Sequence, residues 1–271
     1  MKRRNKSAVL AVAAAMALAM GSAMAEDSTS AAIDEYRQML QDGNPAELFE
    51  MDGEALWTEA RGPKGATLEA CDLGKGPGVT EGVFVELPRY FEDTDKVQDL
   101  ESRLVTCMVE LQGLDRADIV ENGKWGQGER ANVTALATWI ASQSRGMSFN
   151  LPQDHEEERL AYEVGKRVFF QRGGQYDFSC ATCHGQENIR IRLQELPYLS
   201  KDPGDGVGIA AWPAYRVSSG QMWTMQHRLN DCFRQQRFPE PDFVSDVTVA
   251  LGVYMGVQAK GAKSIASAIK R

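Results

Sequence analysis

The segment from Cys180 to His184, which reads Cys-Ala-Thr-Cys-His, constrains this chain more than any other feature of its sequence. Two thiols on one helical turn can add to the two vinyl groups of a haem, while the adjacent imidazole reaches the iron. A thioredoxin-like Cys-x-x-Cys pair is the alternative, but it requires a strand–helix–strand context that the sequence does not indicate. The motif therefore predicts one covalently attached haem c on Cys180 and Cys183, with His184 as an iron ligand.

The first 25 residues predict export from the cytoplasm. Four basic residues are followed by an alanine-rich apolar run from Ala8 to Met20, which ends at Ala23-Met24-Ala25. This order is typical of a secretory signal cleaved after Ala25, and the apolar run is short for a membrane span. The chain has a formal net charge of -8, and losing four cationic residues makes it more negative. Nucleic acid and anionic membrane surfaces are therefore excluded as expected partners, and we expect no membrane insertion.

The second half has the order of elements of a class I cytochrome c domain. A helix near Glu156 to Gln171 precedes the haem motif, and a loop rich in glycine and proline near Asp202 to Pro213 precedes two further helices. Apolar residues at helical spacing are expected to line the core on the first and last of these helices. The two stripes comprise Val164, Val168 and Phe169, and then Val247, Leu251 and Tyr254.

The first half repeats part of this plan without the haem motif. Five of its residues recur 125 positions later, namely Pro88, Tyr90, Arg103, Leu104 and Cys107 as Pro213, Tyr215, Arg228, Leu229 and Cys232. A weaker match, Val133-Thr134 with Val247-Thr248, needs a different offset and predicts a closing helix in both halves. We therefore predict a mostly α protein with two tandem class I cytochrome c-like domains. The haemless domain spans residues 26–150 and the haem-binding domain spans residues 151–271.

The repeat also predicts how the cysteines pair. Cys71 takes the place of a haem cysteine in the first half, and Cys107 is the counterpart of Cys232. Because such positions face each other across a haem pocket, Cys71 and Cys107 could close into a disulfide in a domain without haem. This pairing leaves Cys232 as the unpaired thiol of an exported protein.

Four residues of the second half could provide the second axial ligand of the iron. They are Met222, Met225, His227 and Cys232, on one predicted helix that begins after residues 218–220. Met225 and Cys232 are seven residues apart and share a face, whereas His227 points away from it. We interpret His227 as a histidine at the surface or behind the ligands, and the methionines as packing residues near the haem. A simple electron-transfer cytochrome with Met225 as the ligand remains an alternative.

Arg228 lies one helical turn before Cys232, on the same face. Its guanidinium is expected to lower the pKa of the thiol and so to favour a thiolate that can bind metal or act as a nucleophile. A thiolate opposite His184 would lower the haem potential relative to a thioether, which suits a site where the sulfur itself reacts. The alternatives are a buried, inert thiol at Cys232 and a surface arginine at Arg228 that pairs with Asp231.

Three further arginines accompany Arg228 in an otherwise acidic chain: Arg216, Arg234 and Arg237. A local positive cluster attracts small anions, and guanidinium groups bind oxyanions such as sulfonates in a forked geometry. Spacing alone does not select which of these arginines line the site.

These residues resemble the SoxA family, the catalytic cytochrome subunits of the bacterial thiosulfate-oxidising Sox system, over nearly the whole chain after the signal. The specific segments are Cys71 to Gly74 with Gly76 to Gly78, Leu87 to Phe91, Val97 to Met108, Cys180 to Gly185, and Arg228 to Cys232. Family members have one or two haems, and the missing first motif indicates the mono-haem type with a Cys71–Cys107 disulfide.

The resemblance implies an L-cysteine S-thiosulfotransferase subunit in the periplasm. It implies that His184 and Cys232 ligate the iron, that Cys232 can bear an extra sulfur as a persulfide, and that Arg228 is the active-site arginine. The implied partners are a small cytochrome subunit, SoxX, and a carrier protein, SoxYZ, whose cysteine accepts thiosulfate while two electrons pass to an acceptor cytochrome c. A thiosulfate dehydrogenase that forms tetrathionate is the rival enzyme.

Overall fold

The computed structural model describes residues 43–191, 194–201 and 207–270. The predicted signal peptide and part of the predicted loop near Asp202 to Pro213 lie outside these ranges. The helices are α1 Ala46–Thr58, α2 Leu100–Glu110, α3 Arg116–Ile119, α4 Gly128–Ser142, α5 Glu156–Phe170, α6 Cys180–His184, α7 Val207–Ala210, α8 Met225–Gln235 and α9 Asp246–Gln258, with a 3-10 turn at Phe84–Glu86. Within the described ranges, no helix combines the length and the hydropathy needed to cross a bilayer.

Short strands accompany the helices, so the protein is helix-rich with some sheet. They are β1 Arg89–Phe91, β2 Lys96–Gln98, β3 Arg190–Ile191, β4 Gln194–Glu195, β5 Ala214–Arg216, β6 Gln221–Trp223 and β7 Ala268–Lys270. β1 pairs with β2 and β3 with β4, both antiparallel, and a three-stranded sheet has the order β6-β5-β7 with β7 parallel to β5.

The first and last helices of each half cross closely at a glycine. An added Cβ would collide with the carbonyl oxygen of Ala135 at Gly53, where α1 packs on α4, and with that of Ala250 at Gly165, where α5 packs on α9. An aromatic pair fills each crossing: Trp57 and Trp139 at 5.7 Å, and Phe169 and Tyr254 at 5.0 Å between ring centroids. Ala135 and Ala250 are equivalent at the two crossings. This alignment of the closing helices differs by one residue from the sequence match of Val133-Thr134 to Val247-Thr248.

Replacing Gly165 with alanine is expected to lower the free energy of unfolding by about 3 kcal/mol, because the crossing has no room for a methyl group. Chemical denaturation with a circular dichroism readout measures the change. Gly252→Ala in the same helix α9 is the matched control, since its Cβ would lie 3.4 Å from Pro88 Cγ, an ordinary contact. We expect that control to be neutral or stabilising, and equal losses in both variants would contradict the packing argument.

A hairpin followed by a helix occurs once in each half. β1, β2 and α2 in the first half match β5, β6 and α8 in the second, at the offset found in the sequence. Both helices have a side-chain cap: Asp99 accepts a hydrogen bond from the Ser102 N–H, and Thr224 accepts one from the His227 N–H. Residues 218–220 therefore form a hairpin turn, and the prediction of a helix beginning directly after them is wrong. Met222 lies on β6 and not on the helix.

The two hairpin–helix units also bond to each other. The Gln226 side chain donates to Asp99 Oδ2 at 2.6 Å, and its backbone N–H donates to Glu101 Oε2 at 3.4 Å. Glu101 is fully enclosed, and burial raises its pKa well above the usual value. Trp125 from the first half stacks on His227 of α8 with 4.2 Å between ring centroids. The position of α8 thus depends on residues of the first half.

Cys71 and Cys107 form a disulfide in the first half, which confirms the predicted pairing. Both cysteines are buried, at 1% and 5% exposure, in an apolar cluster that includes Leu73, Leu104 and Met108. The second half has its own cluster, in which Cys180 packs against Phe169, Leu251 and Tyr254 among others. The predicted stripes are right for those three residues and wrong for Val164 and Val247, which are 39% and 38% exposed.

Candidate functional site

The haem motif forms the one-turn helix α6. Ser179 caps it reciprocally: its hydroxyl accepts from the Thr182 N–H at 3.2 Å, and the Thr182 hydroxyl accepts from the Ser179 N–H at 3.0 Å. The Gly185 N–H closes the turn on the Ala181 carbonyl at 2.8 Å. This capping box, read from Ser-x-x-Thr, fixes the two motif cysteines on a single turn.

His184 is held as a neutral imidazole with one nitrogen free. Its Nδ1 lies 2.9 Å from the Pro197 carbonyl oxygen, and since a carbonyl only accepts, Nδ1 must be the donor. Nε2 is then unprotonated, which is the form that binds a metal. Burial also lowers the pKa of His184, with the Arg228 charge acting in the same direction. Pro197 was missed by sequence reasoning, because nothing in the spacing indicates the loop that reaches back to His184.

Three free thiols lie close enough for their charges to interact: Cys180, Cys183 and Cys232, all partly buried. Burial raises the pKa of Cys180 to about 12, and charge on Cys232 adds to the effect. Burial likewise raises the pKa of the Cys232 thiol, and it outweighs the opposing effect of Arg228. The predicted lowering of the Cys232 pKa is therefore wrong as a net direction, although the contribution of Arg228 has the expected sign.

These donors fit a haem c better than a disulfide or a bare thiol cluster. Two thiols on one turn, a neutral imidazole with a free Nε2 and a third buried thiol match its attachment and ligation. Leu229 and Phe233 of α8 and Met225 at its start pack against the same apolar cluster as Cys180. Met225 thus packs in the core and Met222 is buried, which is compatible with the interpretation of both as packing residues.

Asp231 orients Arg228. The Arg228 guanidinium donates to Asp231 Oδ2 at 2.9 Å, which is the pairing considered as an alternative from the sequence. The buried Asp231 carboxylate also accepts from Arg234 Nη2 at 2.6 Å and from Gln235 Nε2 at 2.6 Å. Arg228 is 28% exposed, so part of its side chain stays accessible while it pairs with Asp231.

The predicted arginine cluster separates into two groups. Arg216 and Arg228 both act on the Cys232 thiol, since each lowers its pKa against the effect of burial. Arg234 is 57% exposed and bound to Asp231, and Arg237 is exposed at the end of the turn after α8. Only Arg216 and Arg228 of the four are therefore candidates to bind an anion at Cys232.

His227 is partly exposed and packs among aromatic rings. Its ring lies between two indoles, 4.2 Å from Trp125 and 4.0 Å from Trp223, and burial lowers its pKa to about 4. The prediction that it points away from Cys232 agrees with this stack, and its partial exposure is compatible with the predicted position at the surface or behind the ligands. The three rings line a cavity of about 460 Å³, together with Arg130 of the first half.

Comparison with known proteins identifies the family. The chain is 48% identical over 273 residues to the L-cysteine S-thiosulfotransferase subunit SoxA of Hydrogenophilus thermoluteolus, covering 99% of this chain and 100% of that protein. The chain belongs to the SoxA family. A SoxA of Hydrogenobacter thermophilus is 34% identical over 80% of this chain and 78% of its own length.

A solved structure supports this membership of the SoxA family. The crystal structure of SoxXA from P. pantotrophus matches with a TM-score of 0.72 and 27% identity, covering 88% of this chain and 84% of that one. The family model described as SoxA/TsdA, cytochrome c domain, matches residues 52–149. A cytochrome c domain implies a haem c cofactor. The matched residues lie in the half that lacks Cys-x-x-Cys-His. That half therefore has the sequence pattern of this family's cytochrome c domain even without the haem motif.

Proposed function

We propose that this SoxA-family protein is the subunit that oxidatively transfers thiosulfate onto a cysteine of the carrier SoxYZ. The observation that supports it most directly is the Cys232 thiol, which lies within electrostatic reach of both motif cysteines and of two arginines, Arg216 and Arg228. In the net reaction the carrier thiol loses its proton, a sulfur–sulfur bond forms to the outer sulfur of thiosulfate, and two electrons pass to an acceptor cytochrome c. The product is a cysteine S-thiosulfonate.

Each site residue has a proposed role. Cys180 and Cys183 would attach one haem c, and His184 and Cys232 would ligate its iron; when bound, this group would supply the redox-active metal. Cys232 is the reacting sulfur, as a thiolate or a persulfide. Its bond to the outer sulfur of thiosulfate forms as two electrons leave for the acceptor. The carrier thiolate then attacks that outer sulfur and releases the Cys232 sulfur as the leaving group. Arg228, oriented by Asp231, holds the sulfonate end of the anion.

The wider setting is also a proposal. Residues 26–150 and 151–271 form two tandem cytochrome c-like domains, the first without haem; the repeated helix crossing and hairpin–helix unit support this division. The likeness to the SoxXA structure supports a heterodimer with SoxX. A cleaved signal over residues 1–25 would place the complex in the periplasm.

Carrier dependence tests the function. We expect thiosulfate-dependent reduction of an acceptor cytochrome by the complex with SoxX to require SoxYZ and to stop when the carrier cysteine is replaced by serine. Mass spectrometry of the carrier should find the thiosulfonate adduct. Tetrathionate formed equally well without the carrier would favour the dehydrogenase, and electron transfer that ignores thiosulfate would favour a simple cytochrome with Met225 as ligand.

A further inference from the structure

The first half contains a counterpart of the candidate site in which the arginine is fully neutralised. Arg103, the equivalent of Arg228, donates to both oxygens of Asp93 at 2.8 and 2.9 Å and from Nε to the Asp72 carbonyl at 2.6 Å. Its guanidinium also lies 4.1 Å from the centroid of the Phe91 ring. The side chain is 5% exposed. Arg103 therefore has no need of a further partner, and it lies beside a disulfide.

The second half differs at the hairpin positions that neutralise Arg103. At the shared offset of 125 residues, Arg216 stands in place of Phe91, and Ser218 stands in place of Asp93. The hairpin registers agree, since Phe91 pairs with Lys96 and Arg216 pairs with Gln221 at the same point of each strand pair. The hairpin of the second half has therefore gained a second guanidinium and lacks this carboxylate; the carboxylate beside Arg228 is Asp231, which stands on α8 in place of Thr106.

Arg216 has no anionic partner in the described part of the chain. Its Nε atom is buried without a hydrogen-bond acceptor, and its guanidinium lies over the Trp223 ring at 5.3 Å. Asp231, the carboxylate that acts on it, already accepts from three other donors. Burial lowers the pKa of Arg216, and repulsion from Arg228 lowers it further. Asp231 thus acts on both guanidiniums but bonds only Arg228, and a buried donor of Arg216 is left without an acceptor, which is costly unless an anion completes the site.

We propose that Arg216 is a second anion-binding residue of this site, which holds the sulfonate oxygens of thiosulfate together with Arg228. This inference rests on the proposed function for its substrate. Thiosulfate has the charge and the oxygen acceptors that the unpartnered guanidinium lacks, and its outer sulfur is left free to meet Cys232. Two arginines on one sulfonate would also fix the direction in which the anion enters.

Substitutions at Arg216 test the proposal in the haem-loaded complex with SoxX, at saturating carrier. Arg216→Gln is expected to raise the KM for thiosulfate about 10- to 100-fold, since a hydrogen bond to a charged group is lost, with little change in the KM for the carrier. Arg216→Phe, which copies the first half, should have the same effect. Arg216→Lys keeps the charge without the fork and should give a smaller rise.

Arg116→Gln is the matched control, because Arg116 is an exposed arginine of the first half with a surface ion pair to Glu121. It should leave both KM values unchanged. An unchanged absorption spectrum of the haem in each variant separates binding from folding. A KM for thiosulfate that stays at the wild-type value in Arg216→Gln and Arg216→Phe would overturn the proposal.

Calorimetric titration with sulfate, used as an unreactive oxyanion, provides a readout that does not depend on turnover. We expect sulfate binding to weaken about 10-fold or more in Arg216→Gln and to be kept in Arg116→Gln. Equal sulfate affinity in the wild type and Arg216→Gln would argue against Arg216 even if turnover falls. Weakened sulfate binding in a complex that shows no carrier-dependent turnover would support the anion site and reject the proposed function separately.

Discussion

Cys232→Ala is expected to reduce carrier-dependent thiosulfate oxidation by roughly 1,000-fold or more, because it removes the proposed reacting sulfur. When several residues act together in one chemical step, removal of any one of them abolishes nearly all of the rate enhancement. The measurement is the rate of acceptor cytochrome reduction with SoxX and SoxYZ present. Activity within a few-fold of the wild type would show that the chemistry does not use Cys232.

Cys232→Met separates the two roles proposed for this residue. A thioether can still ligate the iron, but it cannot form a persulfide or exchange a sulfur–sulfur bond. We therefore expect Cys232→Met to keep the absorption spectrum of a six-coordinate haem. Its haem potential should be higher than that of the wild type, and its activity should be as low as that of the alanine variant. If Cys232→Met were active, the sulfur would serve as a ligand alone.

Removal of the Cys71–Cys107 disulfide should have the largest effect on stability. The bridge spans a sequence separation of 36 residues, for which the loss of loop-closure entropy in the unfolded chain amounts to about 4 kcal/mol. The double variant Cys71→Ala with Cys107→Ala is therefore expected to unfold at a lower denaturant concentration than the wild type under non-reducing conditions. Both side chains are buried, so lost packing acts in the same direction.

Two controls define this experiment. Reductant should shift the unfolding midpoint of the wild type toward that of the double variant and leave the double variant where it is. Haem content should stay equal in the two proteins, because Cys180 and Cys183 are unchanged. Coincident midpoints for the two proteins without reductant would contradict a stabilising role for the bridge.

Local patterns predicted much of the fold and of the site. The first helix of the second half was expected near Glu156 to Gln171 and spans Glu156–Phe170, and the cysteine pair followed from its place in the repeat. Strands of two or three residues are too short to produce an alternating pattern, so the small sheets were not predicted. The helix–helix crossings depend on Gly53 and Gly165, whose role becomes visible only once the partner helix is known.

The errors at the site have a common physical cause. Helical spacing shows on which face of a helix a residue lies, but it does not show which residues of other elements pack against that face. His227 was correctly turned away from Cys232, yet its partner Trp125 is distant in sequence. Spacing likewise placed Arg228 beside Cys232, but the extent of burial that raises the thiol pKa comes from the assembled core.

The stack of Trp125 on His227 has a consequence for how the residues of the site are held in place. Helix α8, which bears Arg228 and Cys232, is braced by an indole from a half that contains no haem motif. Deleting that half would remove this support, so we expect a truncated chain to hold Arg228 and Cys232 less firmly. A substitution at Trp125 could therefore disturb the position of Arg228 and Cys232 without touching either residue.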